Sequence, residues 1–223
     1  MSERPARALI FDMDGTMVDN MGYHDEAFAR FFAAKGKSFE RDGFMARTAG
    51  MAFAEIAAPF FPEADLPALA GLGEEREAIY RDLYRPHVAP TPGLLPLLAR
   101  ATTHGVPMAV ATAAPPGNIA LVLDTLELRP LFATIVSPSQ GFRGKPHPDL
   151  FLAAAERMGV APEDCLVFED APNGVEAARR AGMRAVAILT MLRADAFAGF
   201  DNVVASAGDF TALDRLPALR FDT

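Results

Sequence analysis

The chain has 223 residues, 51% of them hydrophobic, which is enough for one α/β domain of ordinary size plus a smaller insert and too apolar for a disordered chain. Asp and Glu number 29 against 21 Lys and Arg, giving a net charge of −8, so no general basic footprint for nucleic acid is present. An anionic ligand would have to be attracted locally, by a metal ion or a few placed cations.

The polar segment Met1–Arg7 leads directly into a strand-like run, Ala8–Phe11. Neither a signal sequence nor an apolar stretch of membrane-spanning length follows, so a cytoplasmic protein with no membrane partner is expected. From about Asn20 to Pro90 the pattern is helical throughout. His24, Phe28, Phe31, Phe32 and Lys35 recur at helical spacing, and a longer pattern covers Leu66 to Leu83. A crossover between strands needs only about a dozen residues, so a stretch of this length predicts a helical domain inserted after the first strand. Further strand-like runs fall at Met108–Ala111, Ala133–Val136, Cys165–Phe168, Ala185–Leu189 and Val203–Ala205. Helical patterns between them open on Pro92, on Pro148 and near Asn173, and close on Gly105, Gly159 and Gly182. The alternation predicts a Rossmann-like, doubly wound, mainly parallel sheet. The core domain is expected over 1–19 and 91–223, and the helical cap over 20–90. Cys165 is the only cysteine, which excludes an intrachain disulfide; a small buried apolar role is expected for it.

Four short segments follow predicted strands, at the sheet edge where ligand sites form. Asp12-Met-Asp14-Gly15-Thr16 places two carboxylates two residues apart, so both can point to one side, and Gly15 permits a tight turn. Such a pair suits a hard cation or a nucleophile with an acid/base partner. Thr112 ends the second strand, and its hydroxyl with the next backbone N–H, that of Ala113, can hold phosphate oxygens at a helix start; an N-cap is the plainer alternative. Lys145, in Gly144-Lys-Pro-His-Pro-Asp149, can offset charge on a nucleophile and a transferring phosphoryl group. Glu169-Asp170 adds two acids that are costly to crowd together without a cation. An oxygen-rich cluster of this kind suits Mg2+, and no Cys/His cluster suggests zinc.

Taken together, these motifs resemble the haloacid dehalogenase superfamily, in the branch with a helical cap inserted after the first strand. Within it the chain is similar to β-phosphoglucomutases and small sugar-phosphate phosphatases, through Tyr23-His24, Gly-Lys-Pro-His-Pro-Asp and Phe-Glu-Asp-Ala-Pro-Asn-Gly. The resemblance implies Asp12 as nucleophile, forming an aspartyl phosphate, and Asp14 as acid and then base. It implies Mg2+ held by Asp12, the Asp14 carbonyl and Asp170, with Glu169 assisting directly or through water. Asp19 is expected to bond its own loop. His24 is the cap residue expected to meet substrate, against the alternative of cap packing; Arg47 and Arg76 are the cap cations to consider for a second anionic group on the substrate, although plain surface positions are the favoured reading for both.

Counted from Gly50, Phe53 stands where the mutases carry a phosphate-gripping Arg. A phosphatase of a small phosphorylated metabolite is therefore expected over a phosphosugar mutase. A receiver-like, phospho-accepting binding protein is the reading from another class; it would need neither Asp14 nor a cap. The protein is expected to act as a monomer or weak homodimer, with cap hinges near Asn20–Gly22 and Ala89–Pro92.

Overall fold

The computed structural model describes residues 4–48 and 53–221. The chain divides into two compact units, Met1–Asp19 with Ala89–Thr223, and Asn20–Val88. Among the described residues, no helix is long and apolar enough to cross a membrane.

The larger unit is built on six parallel strands: β1 (Ala8–Phe11), β2 (Met108–Ala111), β3 (Thr134–Val136), β4 (Cys165–Glu169), β5 (Arg184–Ile188) and β6 (Val203–Ala207). Their order is β3-β2-β1-β4-β5-β6. The predicted α/β class holds; β1 and β2 fall where expected, and the other four strands differ by one or two residues at one or both ends. Strands β1, β2 and β4 are buried along their whole length, as continuous apolar runs covered on both faces must be. Side chains alternate across the sheet. Ala8, Ile10, Ala109, Ala111 and Val167 pack in one cluster with Leu150, Phe151, Val175 and Ala178. Those partners come from two helices, Asp149–Met158 and Pro172–Arg180. On the other face Phe11 stacks on Phe168, with ring centroids 4.7 Å apart, and both meet Phe210.

The smaller unit contains α1 (Met21–Ala34), α2 (Phe44–Thr48), α3 (Phe53–Ala57) and α4 (Leu66–Tyr84). Its core is aromatic: Phe28, Phe31, Phe32 and Phe44 are buried, with Phe39, Phe53, Phe60 and Phe61 packed against them. Asp65 caps α4 by accepting from the Ala68 N–H at 2.9 Å. The larger unit continues with α5 (Leu94–Thr103), α6 (Pro116–Thr125), α7 (Asp149–Met158) and α8 (Pro172–Arg180).

The segment returning to the larger unit is fastened there. The Thr91 N–H donates to the Met17 carbonyl at 2.8 Å, and the Thr91 hydroxyl to the Thr16 carbonyl at 2.8 Å. Pro92 O accepts from the Phe210 N–H at 3.0 Å. Thr91 and Pro92, at one end of the Ala89–Pro92 segment, are thus hydrogen-bonded into the larger unit.

Candidate active site

Strand order reverses at β1. Its neighbours β2 and β4 lead away to opposite edges, the place where open parallel sheets leave a crevice beyond their carboxyl ends. Phe11 pairs with Phe168 and the Asp12 N–H donates to the Phe168 carbonyl at 3.0 Å, so Asp12 and Glu169 leave adjacent strands side by side. The chain then folds tightly. Met17 N–H donates to the Met13 carbonyl at 2.9 Å and Gly15 N–H to the Val18 carbonyl at 2.8 Å. Gly15 has φ +80°, and a Cβ there would lie 2.1 Å from Asp170 Oδ2, so both the turn and the approach of Asp170 require glycine.

Lys145 joins the two acid segments. Its ammonium donates to Asp12 Oδ1 and, at 2.6 Å, to Glu169 Oε1. It also sits 5.1 Å from the centroid of the Phe151 ring. Its side chain is only 7% exposed, so this lysine is not the solvated one that its place before a proline allows. Glu169 Oε2 accepts from the Ala171 N–H at 2.9 Å, which engages both of its carboxylate oxygens. Asp170 Oδ1 accepts from the Thr16 hydroxyl at 3.2 Å. The Thr190 hydroxyl, beyond β5, holds the Gly15 carbonyl at 2.5 Å. Sequence reasoning passed over Thr16 and Thr190 because a hydroxyl's partner across a sheet edge leaves no local signal.

The electrostatics follow from burial. Asp12, Glu169 and Asp170 are all buried, and three carboxylates face one ammonium. Desolvation pushes Asp12 up to about 8, with Glu169 and Asp14 adding to the rise and Lys145 opposing it. Asp170 is raised well above the usual carboxylate range by desolvation and then by the Glu169 and Asp12 charges. For Lys145, burial pulls downward, but the Asp12 and Glu169 charges outweigh it and hold the ammonium above its ordinary value. Such an excess of buried negative charge is what a hard divalent cation relieves.

Among the described residues no three His, Cys, Asp or Glu side chains form a metal cage by themselves. With Glu169 engaged twice, the donors suited to an ion are the Asp12 and Asp170 carboxylates and a backbone carbonyl such as that of Asp14. This fits a cation that keeps several waters.

Thr112 is buried, and its Oγ accepts from the Ala114 N–H at 3.0 Å. It shapes the turn after β2 and does not cap a helix, since α6 begins only at Pro116. Ala113 is exposed on that turn. Asp14 is half-buried. Asp19 is exposed and makes no side-chain bond among the described residues, contrary to the loop-bonding role expected for it.

In the smaller unit, His24 and Arg76 are both buried. Arg76 Nη1 donates to His24 Nδ1 at 2.9 Å, its guanidinium pairs with Glu77 at 2.9 Å, and it covers the Phe28 ring at 4.3 Å. His24 stacks on Tyr80 at 3.8 Å. The surface alternative is therefore wrong for Arg76. Arg47 is exposed and donates to the carbonyls of Asp42, at 2.6 Å, and Glu40, at 3.2 Å, closing its own loop. Phe53 packs between Phe28 and Phe31, while Gly50, from which its position was counted, lies outside the described residues.

Acid pairs on two neighbouring strands, bridged by a buried lysine at the point where strand order reverses, define an enzyme of phosphoryl or related group transfer built on a doubly wound sheet. The family model for haloacid dehalogenase-like hydrolases matches residues 6–182, and the chain belongs to that family. It is 38% identical over 189 residues to the fructose-1-phosphate phosphatase YqaB of Escherichia coli, covering 83% of this chain and 97% of that protein. It is 32% identical to a phosphorylated carbohydrates phosphatase of Thermotoga maritima, over 80% of this chain and 83% of that one. A crystal structure of CbbY from Rhodobacter sphaeroides in complex with phosphate superposes with a TM-score of 0.82 at 28% identity, over 96% of this chain and 99% of that chain.

Proposed function

We propose that the chain is a Mg2+-dependent phosphatase of a small phosphorylated sugar, working through an aspartyl phosphate on Asp12. The observation that carries this reading is the lysine held between Asp12 and Glu169 at the switch point, with Asp170 beside them. The phosphatase names of the E. coli and T. maritima relatives support the substrate class.

In the first half-reaction an Asp12 oxygen attacks phosphorus, the bond from phosphorus to the sugar oxygen breaks, and Asp14 gives that oxygen a proton. In the second, water attacks the same phosphorus and loses its proton to Asp14. The bond to Asp12 breaks and inorganic phosphate leaves. Thr112 and the Ala113 N–H hold phosphoryl oxygens, and Lys145 offsets the charge that accumulates on them. Bound Mg2+ supplies further positive charge against the phosphoryl oxygens. His24 and Arg76 are assigned to recognition of the sugar. Arg47 is the third candidate; its guanidinium, like that of Arg76, already has partners within the smaller unit.

A mutase must grip phosphate at both ends of its intermediate. Phe53 offers no charge for this, and its ring is committed to the aromatic core of the smaller unit. The test is a panel of sugar phosphates in which phosphate release and isomer formation are followed together. Mg2+-dependent release should exceed isomer formation, and Asp12→Asn should abolish it. Interconversion of β-glucose 1-phosphate and glucose 6-phosphate faster than release would overturn the hydrolytic reading. An Asp12→Asn protein as active as the original would remove the nucleophile.

A further inference from the structure

We infer that Gly174 is a positioning residue of this site, supplying the space in which Glu169 turns its carboxylate to hold Lys145. Gly174 is the third residue of helix α8. Unlike Gly15, it is not among the glycines with positive φ, so its backbone conformation is open to any residue. Glycine is a poorer helix former than alanine, so local structure argues against glycine here.

The side chain of Glu169 gives the reason. A Cβ on residue 174 would lie 1.7 Å from Glu169 Oε1, 1.9 Å from its Cδ and 2.5 Å from Oε2. Oε1 is the oxygen that receives the Lys145 ammonium at 2.6 Å, and Oε2 receives the Ala171 N–H at 2.9 Å. The backbones at both ends are fixed, so the part that must turn aside is the Glu169 carboxylate. Glu169 is a strand residue paired with Ala187 of β5, and Val175, next to Gly174, is fully buried in the core. A methyl group at 174 must therefore push the carboxylate off Lys145. The ammonium then loses one of its two anchors and is free to shift relative to Asp12.

The inference deepens the phosphatase reading and rests on it for the part concerning catalysis, so two measurements are paired. In thermal unfolding, Gly174→Ala should lower the midpoint of the original protein. In a Glu169→Ala background, where nothing remains to collide with, it should leave the midpoint unchanged or raise it. Equal destabilisation in both backgrounds would show that Gly174 serves packing alone. In catalysis, Gly174→Ala should reduce kcat about 10- to 100-fold, the usual loss when a supporting partner is displaced, with KM little changed. Shortening the acid, as Gly174→Ala/Glu169→Asp, should be faster than Gly174→Ala alone. An unaltered kcat, or no recovery in that double variant, overturns the inference. If the original protein releases no phosphate from sugar phosphates, the phosphatase reading fails, and the unfolding cycle still decides the placement of Gly174.

Discussion

Cys165 opens β4 with no exposed surface, and its thiol is pushed up to about 12 from its ordinary 9.0, first by burial and then by the Asp164 and Glu163 charges. The native protein should therefore resist iodoacetamide near pH 8, because the thiolate is the reactive form, and alkylation should appear only with unfolding. The sign of the linkage is fixed by the same shift. A folded-state value above the unfolded one stabilises the native protein fully below pH 9 and loses that contribution as pH rises from 9 towards 12. Cys165→Ala should flatten the alkaline limb of a stability–pH profile in that window; an unchanged limb would count against the shift. The burial of this cysteine was legible from its apolar neighbours. That of Arg76 was not, because a charged side chain goes inside only when its partners are supplied from elsewhere, here His24, Glu77 and the Phe28 ring. Gly174 was legible as a glycine and not as a cavity for Glu169, since a contact between a strand end and a helix has no signature in spacing.

At the scale of elements, punctuation carried most of the information. Gly159 and Gly182 adopt the left-handed conformation just past α7 and α8, where glycine was expected to stop those helices. The helix start expected at Thr112 falls later, at Pro116 of α6, because Pro115-Pro116-Gly117 has the composition of a loop although proline is well suited to a helix's first turn. The short helices α2 and α3 are too brief for periodicity to reveal. Gly93, which precedes α5, has φ +81°, and a Cβ there would lie 2.5 Å from the Thr211 amide nitrogen. Gly93→Ala must meet both the left-handed backbone and this backbone contact. A loss of about 2 kcal/mol or more is expected, read as a lower urea midpoint with an unchanged slope. An unaffected midpoint would mean that α5 and residues 210–211 can separate at no cost.

For the molecule as a whole, the predicted alternation of strands and helices survives because each apolar run has the length and burial of a strand in a parallel sheet. The concentration of negative charge at β1 and β4 also has a global consequence. Mg2+ at a hundred times its dissociation constant should stabilise the folded state by about 2.7 kcal/mol. Chelation should reverse the rise in melting temperature, and Asp170→Asn should abolish it. A midpoint indifferent to Mg2+ would leave the acid cluster without its proposed cation.

The bonds from Thr91 to Thr16 and Met17 have a consequence for how such a chain can diversify. They tie the outgoing and incoming strands of the insertion together at its base, so the sheet experiences the intervening 20–88 segment as a loop whose two ends are already closed. Its length and contents can then change with little effect on the register of β1 against β2. The insert can be rebuilt while the acids and the lysine stay where they are.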